Sequence, residues 1–173
     1  MSLGDLTILQ EDVMTGRGAR LYYVQGGTAI LAGEPVVVAA LGVQANSAVV
    51  PMATNGPVVG TTQLVGVAAT TATNTTSATG VVYVTPINPD ITYLVNPDVA
   101  ATWNTQAKYD AQIGRRCLLA NSVVIGSTPG NGAYTLLATA DTSTSGCVVQ
   151  PLDISKYPGK VAIRFRAGCN YLA

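Results

Sequence analysis

The sequence contains no histidine, and only 10% of its residues are charged. Histidine is the commonest general base and metal ligand in proteins, and it completes the Ser-His and Cys-His nucleophile arrangements. The nine acidic residues are scattered and mostly lie in turns, which does not favour the paired carboxylates of a glycosidase. No P-loop or Rossmann glycine motif is present. We therefore predict that the protein is not an enzyme and has no cofactor, metal site or catalytic residue.

The charges that are present balance, with nine basic and nine acidic residues. A chain with zero net charge has no overall field to attract nucleic acid or an anionic membrane. The sequence has no run of about 20 consecutive apolar residues, and its first residues do not resemble a secretory signal. We expect a protein that is made in the cytoplasm and has neither nucleic acid nor a membrane as a partner.

The cysteines are few, odd in number and widely spaced: Cys117, Cys147 and Cys169. Neither a disulfide framework nor a C-x-x-C metal site fits this pattern. We predict three buried, reduced thiols that act as small apolar side chains.

Short β-branched and aromatic runs, separated by turn residues, make up most of the chain from Leu21 onward. This spacing is typical of a β-sandwich or β-barrel. The predicted strands are Leu21–Gln25, Thr28–Ala32, Val36–Ala40, Ala48–Val50, Gln63–Ala68, Gly80–Thr85, Ile91–Val95, Arg115–Ala120, Ala133–Ala138, Gly146–Leu152 and Lys160–Arg166.

The last of these strands alternates most clearly. It directs Val161, Ile163 and Phe165 to one face and both Arg164 and Arg166 to the other. The arginine face is either a solvated surface or a contact for acidic patches on a partner protein.

One helix is expected from about Thr105 to Ile113, with Thr102 or Asn104 as its cap and Gly114 at its end. Its Tyr109 and Ile113, with Trp103, would then close one end of the barrel or sandwich. The predicted fold class is all-β, a single β-barrel or β-sandwich domain with one short helix and an extended N-terminal arm.

Residues 1–20 form the predicted arm, and residues 21–173 form the β-domain. The arm carries four apolar side chains and ends near a Gly16-Arg17-Gly18 joint; the apolar residues are Leu3, Leu6, Ile8 and Leu9. These side chains either fold back onto their own domain or are buried against another protein, where residues 5–9 would add as a strand to a sheet edge.

Two further regions have an unusual composition. No charged side chain occurs from Pro35 to Pro89, which is expected of central strands or of subunit contacts, because interface cores are depleted in charge. Within this region, Ala68–Thr79 is rich in Ala, Thr, Asn and Ser, and we predict that it is an exposed loop.

Four segments carry a resemblance to a known family: Gly33–Val37, Leu64–Ala68, Gly80–Val84 and the closing segment from Val148 to Val161. They resemble the capsid decoration (cement) proteins of tailed bacteriophages. The resemblance extends over about residues 17–173 and rests on the rhythm of strands and turns.

This resemblance implies a structural virion protein, commonly homotrimeric, that binds the outer surface of an assembled phage head and stabilises the capsid. Its partner would be the major capsid protein, and its location the outside of the virion. The alternative is an adsorption or glycan-binding module on the virion surface. The residues that we expect to contact the capsid are Leu3, Leu6, Ile8, Leu9, Arg17, Arg20, Arg164 and Arg166.

Overall fold

A computed structural model describes residues 7–10, 18–24, 29–38, 48–52, 56–73, 80–124, 132–137 and 142–169. These residues form thirteen strands and one short α-helix, which confirms the all-β class. The strands are β1 Thr7–Gln10, β2 Arg20–Val24, β3 Ala29–Ile30, β4 Pro35–Val38, β5 Ala48–Pro51, β6 Leu64–Ala68, β7 Ala72–Thr73, β8 Val81–Pro86, β9 Thr92–Pro97, β10 Arg116–Val124, β11 Gly132–Leu137, β12 Cys147–Val149 and β13 Val161–Phe165. The helix α1 is Gln106–Asp110, and two 3₁₀ turns cover Ala100–Thr102 and Ala167–Cys169.

The first half of the chain forms a closed five-stranded barrel in the order β2-β5-β4-β6-β8. The strands β2 and β5 pair in parallel, and the other neighbours in the barrel are antiparallel. Small aliphatic side chains fill the interior, among them Val36, Val65 and Val82, each fully buried. Valine suits this position because its branched Cβ packs well on a pleated surface within a narrow barrel.

The second half, together with the N-terminal strand β1, forms a curled sheet in the order β1-β9-β11-β10-β12-β13, in which β13 also pairs with β9. Larger side chains fill its interior than fill the barrel. Tyr93 and Phe165 are buried there edge to face, with ring centroids 5.0 Å apart. These rings belong to the hydrophobic core inside the curled sheet, which we call the second core. It also contains the fully buried Tyr134 and Leu136 from β11.

The strand β6 joins the two cores because it is buried on both faces. Val65 and Ala68 face the barrel interior, whereas Leu64 and Val67 belong to the second core. Between them Gly66 lies against β8, and a Cβ at this position would collide with the carbonyl of Thr85. Glycine is therefore required at position 66 for β6 and β8 to approach this closely.

Every predicted strand overlaps an observed strand, and the barrel decides between the two predicted architectures. The prediction of an exposed loop over Ala68–Thr79 is wrong in part. Ala72–Thr73 is the strand β7, which pairs with β3, and the Ala72 side chain is buried. Residues 74–79 lie outside the described residues.

The helix is shorter than predicted and has a different cap. The Thr105 hydroxyl accepts a hydrogen bond from the Lys108 backbone N–H, so the prediction of Thr102 or Asn104 is wrong. Gly114 follows the helix with φ = 83°, as a terminating glycine does. Trp103 and Tyr109 are buried as expected, but Ile113 is 41% exposed and does not close the barrel end.

Part of the N-terminal arm lies on its own domain. The strand β1 pairs antiparallel with β9, with Ile8 opposite Tyr93. Residues 7–10 therefore follow the fold-back alternative in this structure. Leu3 and Leu6 lie outside the described residues.

No helix among the described residues is long and apolar enough to cross a membrane.

The hydroxyl group of Tyr109 bridges two backbones of the curled sheet at the point where β12 and β13 separate. It accepts a hydrogen bond from the Ala162 backbone N–H at 2.9 Å and donates one to the Gln150 carbonyl at 2.9 Å. The same two residues share a direct backbone bond, from Gln150 N–H to the Ala162 carbonyl at 2.8 Å. The Tyr109 hydroxyl thus bridges the Ala162 N–H and the Gln150 carbonyl, which are not bonded to each other directly. This bridge fixes the helix α1 to the sheet.

We predict that Tyr109→Phe lowers the free energy of unfolding by about 1–3 kcal/mol, because it leaves a buried N–H and a buried carbonyl without a partner. Urea denaturation followed by Trp103 fluorescence measures this change, since Trp103 is the only tryptophan and packs on Tyr109 at 5.6 Å. Tyr157→Phe, at an exposed position, is the matched control. Equal stability of the two variants would contradict the bridging role.

Candidate protein-binding surfaces

Four large apolar side chains form an exposed face on the outside of the barrel. They lie on the antiparallel pair β2 and β8, with Leu21 opposite Tyr83 and Tyr23 opposite Val81. Leu21 is 53% exposed, Tyr23 46%, Val81 44% and Tyr83 49%. We call these four residues the apolar face.

The apolar face differs from the other outer side of the same barrel. Outward residues of β4 and β6, such as Val37, Leu64 and Val67, pack against the second core. The outward residues of β2 and β8 have the same apolar character but no cover within the described part of the chain. A contiguous exposed patch of this kind is typical of a site of protein–protein interaction.

The rim of the apolar face is polar or weakly apolar. Arg20 begins β2 and is exposed, but it lies opposite the inward Val84, so it alternates away from the apolar face. On the β8 side, Ala69 donates its N–H to the Tyr83 carbonyl at 2.7 Å, and the Thr70 hydroxyl accepts from the Tyr83 N–H at 3.1 Å. These bonds fix the backbone under Tyr83.

A second surface lies on the outside of the curled sheet, where one row of residues crosses four strands. Arg116 of β10 is opposite Val148 of β12, which is opposite Arg164 of β13. The Arg164 Nε then donates to the Thr92 hydroxyl of β9 at 3.0 Å. We call Arg116, Val148, Arg164 and Thr92 the basic row.

Both guanidinium groups of the basic row keep free donors. Arg116 is exposed and Arg164 half-buried, and among the described residues neither forms an ion pair. The backbones at Arg116 and Arg164 are two strand spacings apart, about 10 Å. The row is therefore a locally positive surface on a protein whose net charge is zero.

The structure separates the two arginines that the sequence placed on one face. Arg164 lies in the basic row, but Arg166 follows the end of β13 and donates to the carbonyls of Ser143 and Ser145 at 2.8 and 3.0 Å. Arg166 thus stabilises the turn that contains Ser143 and Ser145. Sequence reasoning missed Arg116, although it precedes the buried Cys117 in a predicted strand and so had to point outward.

The other predicted contact residues do not converge on one site. Arg20 begins β2 and alternates away from the apolar face, and Ile8 and Leu9 lie in β1. Leu3, Leu6 and Arg17 are outside the described residues.

The acidic residues that the structure describes are separate from one another. Asp90, Asp98, Asp110 and Asp153 are exposed in turns or at the end of α1. Hydrogen bonds from the Ser155 hydroxyl and N–H, with a smaller contribution from Lys156, lower the pKa of Asp153. Glu34 is buried, and its carboxylate accepts the Leu31 N–H at 2.9 Å within a tight turn.

No group of three His, Cys, Asp or Glu residues among those described could hold a metal ion. A shallow groove of about 470 Å³ lies between α1 and the segment after β12, and is lined by Gln106, Asp110 and Leu152. The Gln106 amide bonds to its own chain there, donating to Asp110 and the Leu152 carbonyl and accepting from Ile154. The Gln106 amide that lines the groove is thus already hydrogen-bonded within the chain.

The three cysteines are free and buried in the second half of the chain, as predicted. Cys117 and Cys147 lie opposite each other on β10 and β12, and the Cys169 sulfur lies 3.9 Å from the Gly146 carbonyl. Burial, and then the nearby Cys169 and Cys117, raise the pKa of Cys147 well above its usual value. Burial raises the pKa of Cys169 to about 11.

Comparison with known proteins gives no relative: no family model matches the chain, and no curated protein matches it.

We predict that thiol titration finds no rapidly reacting cysteine in the native protein and three free thiols after denaturation without reductant. Burial and raised pKa values suppress the reactive thiolate in the native state. Detection of one thiol after denaturation would mean that a disulfide had formed.

We also predict that the free energy of unfolding falls as the pH rises from about 9 to 12. Burial raises the pKa of Tyr109 to about 12, and that of Cys169 to about 11. In the unfolded chain these groups lose their protons near pH 10 and 9, so between these values and the folded pKa the folded state binds more protons and stability decreases with pH. Urea denaturation at several pH values measures the slope, and Cys169→Ala should make it shallower between pH 9 and 11. An unchanged slope in this variant would contradict the assignment.

Proposed function

We propose that the protein is a structural virion component that binds the outer surface of an assembled phage head and stabilises the capsid. The observation that carries the proposal is the basic row, an outward surface with free guanidinium donors. The resemblance of the sequence to decoration proteins supports the same function.

The chemistry of the basic row suits a protein partner that presents carboxylates. A guanidinium group is planar and binds a carboxylate through two parallel hydrogen bonds. Within the described residues the Arg116 side chain has no bonded partner, and Arg164 bonds only Thr92, through its Nε. Val148 between them adds an apolar contact at the centre, and arginine is enriched at protein interfaces.

A shell-binding protein gains affinity from repetition. Several modest contacts on one oligomer can raise the overall affinity by about 10² to 10⁴-fold over that of a single contact, without any strong site. We therefore propose that the protein binds the head as a homotrimer, with the major capsid protein as its partner. Because the net charge of the chain is zero, recognition depends on local surfaces such as the basic row.

A glycan-binding module is the second candidate, and one observation favours it. Tyr23 and Tyr83 are exposed on the same face, and aromatic rings commonly stack on sugars. However, Leu21 and Val81 occupy the other positions of that face, and neither offers a hydrogen bond to a sugar hydroxyl. A glycan array distinguishes the two functions, because specific glycan binding that is lost in Tyr23→Thr would replace the capsid proposal.

We predict that the purified protein binds expanded, undecorated heads and adds density at three-fold positions. The double variant Arg116→Gln and Arg164→Gln should bind at least about tenfold more weakly, because each lost charge-assisted hydrogen bond contributes about 1.5–3 kcal/mol. Co-sedimentation with heads measures the affinity, and added salt should weaken wild-type binding.

Lys156→Gln is the matched control, since Lys156 is an exposed cation whose ion pair with Asp153 spans 3.7 Å. Native Trp103 fluorescence confirms that each variant is folded. Absence of wild-type binding to heads would refute the function, and undiminished binding of the double variant would refute the role of the basic row.

A further inference from the structure

We propose that the apolar face is a contact between two copies of this chain, related by a two-fold axis. This inference does not rest on head binding, because it follows from the residues of the face alone.

The apolar face has the size of an exposed patch that is often functional. About half of each of its four side chains is exposed, which amounts to roughly 400 Å² for side chains of this size. The largest apolar patch on a typical monomer is about 300–600 Å² and is often functional. On another outer side of the same barrel, Val37, Leu64 and Val67 pack against the second core. Outward apolar residues of this barrel therefore do form a packed contact.

The residues of the face are arranged symmetrically. An antiparallel strand pair has a local two-fold axis, which here passes between Tyr22 and Val82, the opposed residues at the centre of the face. This axis exchanges Leu21 with Val81 and Tyr23 with Tyr83. The two tyrosines therefore lie on one diagonal of the face, and the two aliphatic residues on the other.

This arrangement is complementary to itself. If a second copy is rotated by 180° about an axis in the plane of the face, along or across the strands, each tyrosine of one copy meets an aliphatic side chain of the other. Large side chains then pack against smaller ones, and both copies use the same surface, as a two-fold interface requires.

The charge of the apolar face also favours a second copy. A contact between identical surfaces brings identical charges together, and none of the four residues carries a charge. Arg20, which precedes Leu21 in β2, alternates to the other side of the strand. Tyrosine is enriched in interface cores, because it combines a large apolar ring with a hydroxyl that tolerates water.

The size of the face predicts weak association. A stable specific interface buries about 800 Å² on each partner, and the four residues supply about half of this. We therefore expect association that depends on protein concentration, with a dissociation constant of about 1 µM or above.

Sedimentation analysis over a range of concentrations tests the proposal with two variants of opposite charge, Tyr23→Lys and Tyr83→Glu. The wild-type mass should double as concentration rises, so a monomer becomes a dimer and a trimer becomes a hexamer. Each variant alone should remain at the smaller mass, because the contact would bury each new charge against an aliphatic side chain of the other copy, with a like charge at a neighbouring position. Val99→Lys and Tyr157→Glu, at exposed apolar positions elsewhere, are matched controls that should double like the wild type.

A mixture of the two variants should regain the larger mass, because the lysine face of one chain then meets the glutamate face of the other. No doubling of the wild type, or doubling of both single variants, would overturn the proposal. If the wild type does not double but Tyr23→Lys loses binding to heads, the apolar face is a shell contact and not a self-contact. A doubling protein that fails to bind heads would leave this inference standing and refute only the proposed function.

Discussion

The fold depends on one strand that is buried on both faces. The strand β6 contributes Val65 and Ala68 to the barrel interior and Leu64 and Val67 to the second core, so neither core is complete without it. Its Gly66 allows β8 to approach without a side chain between the two backbones. A uniformly apolar sequence, Leu-Val-Gly-Val-Ala, meets this requirement because no position in it faces water.

Local pattern predicted the strands well because each is short, β-branched and bounded by turn residues. It could not predict their partners. The pairing of β1 with β9 joins residues far apart in sequence, and the two residues of β7 are held by β3 and not by their own propensity. The helix cap is Thr105 because it directly precedes Gln106, whereas Thr102 belongs to the preceding 3₁₀ turn.

The candidate surfaces were harder to predict, because sequence alternation reveals two faces of a strand but not which face is covered. In β8 both sets of residues are apolar, and only the tertiary arrangement buries Val82 and Val84 while leaving Val81 and Tyr83 outside. Arg116 and Arg164 are distant in sequence, and they share a row only through β12. Arg166 shows the opposite case, a cation that alternation placed outward but that bonds its own chain.

The pairing of β1 with β9 has a consequence for the nascent chain. The strand β1 leaves the ribosome long before its partner, and the barrel can close once β8 has emerged, whereas the second sheet requires β13, the last described strand. During that interval the outer surface of β6 has no second core to cover it. Translation thus makes the barrel strands available first and β9, the partner of β1, next, whereas the curled sheet is complete only when β13 has emerged.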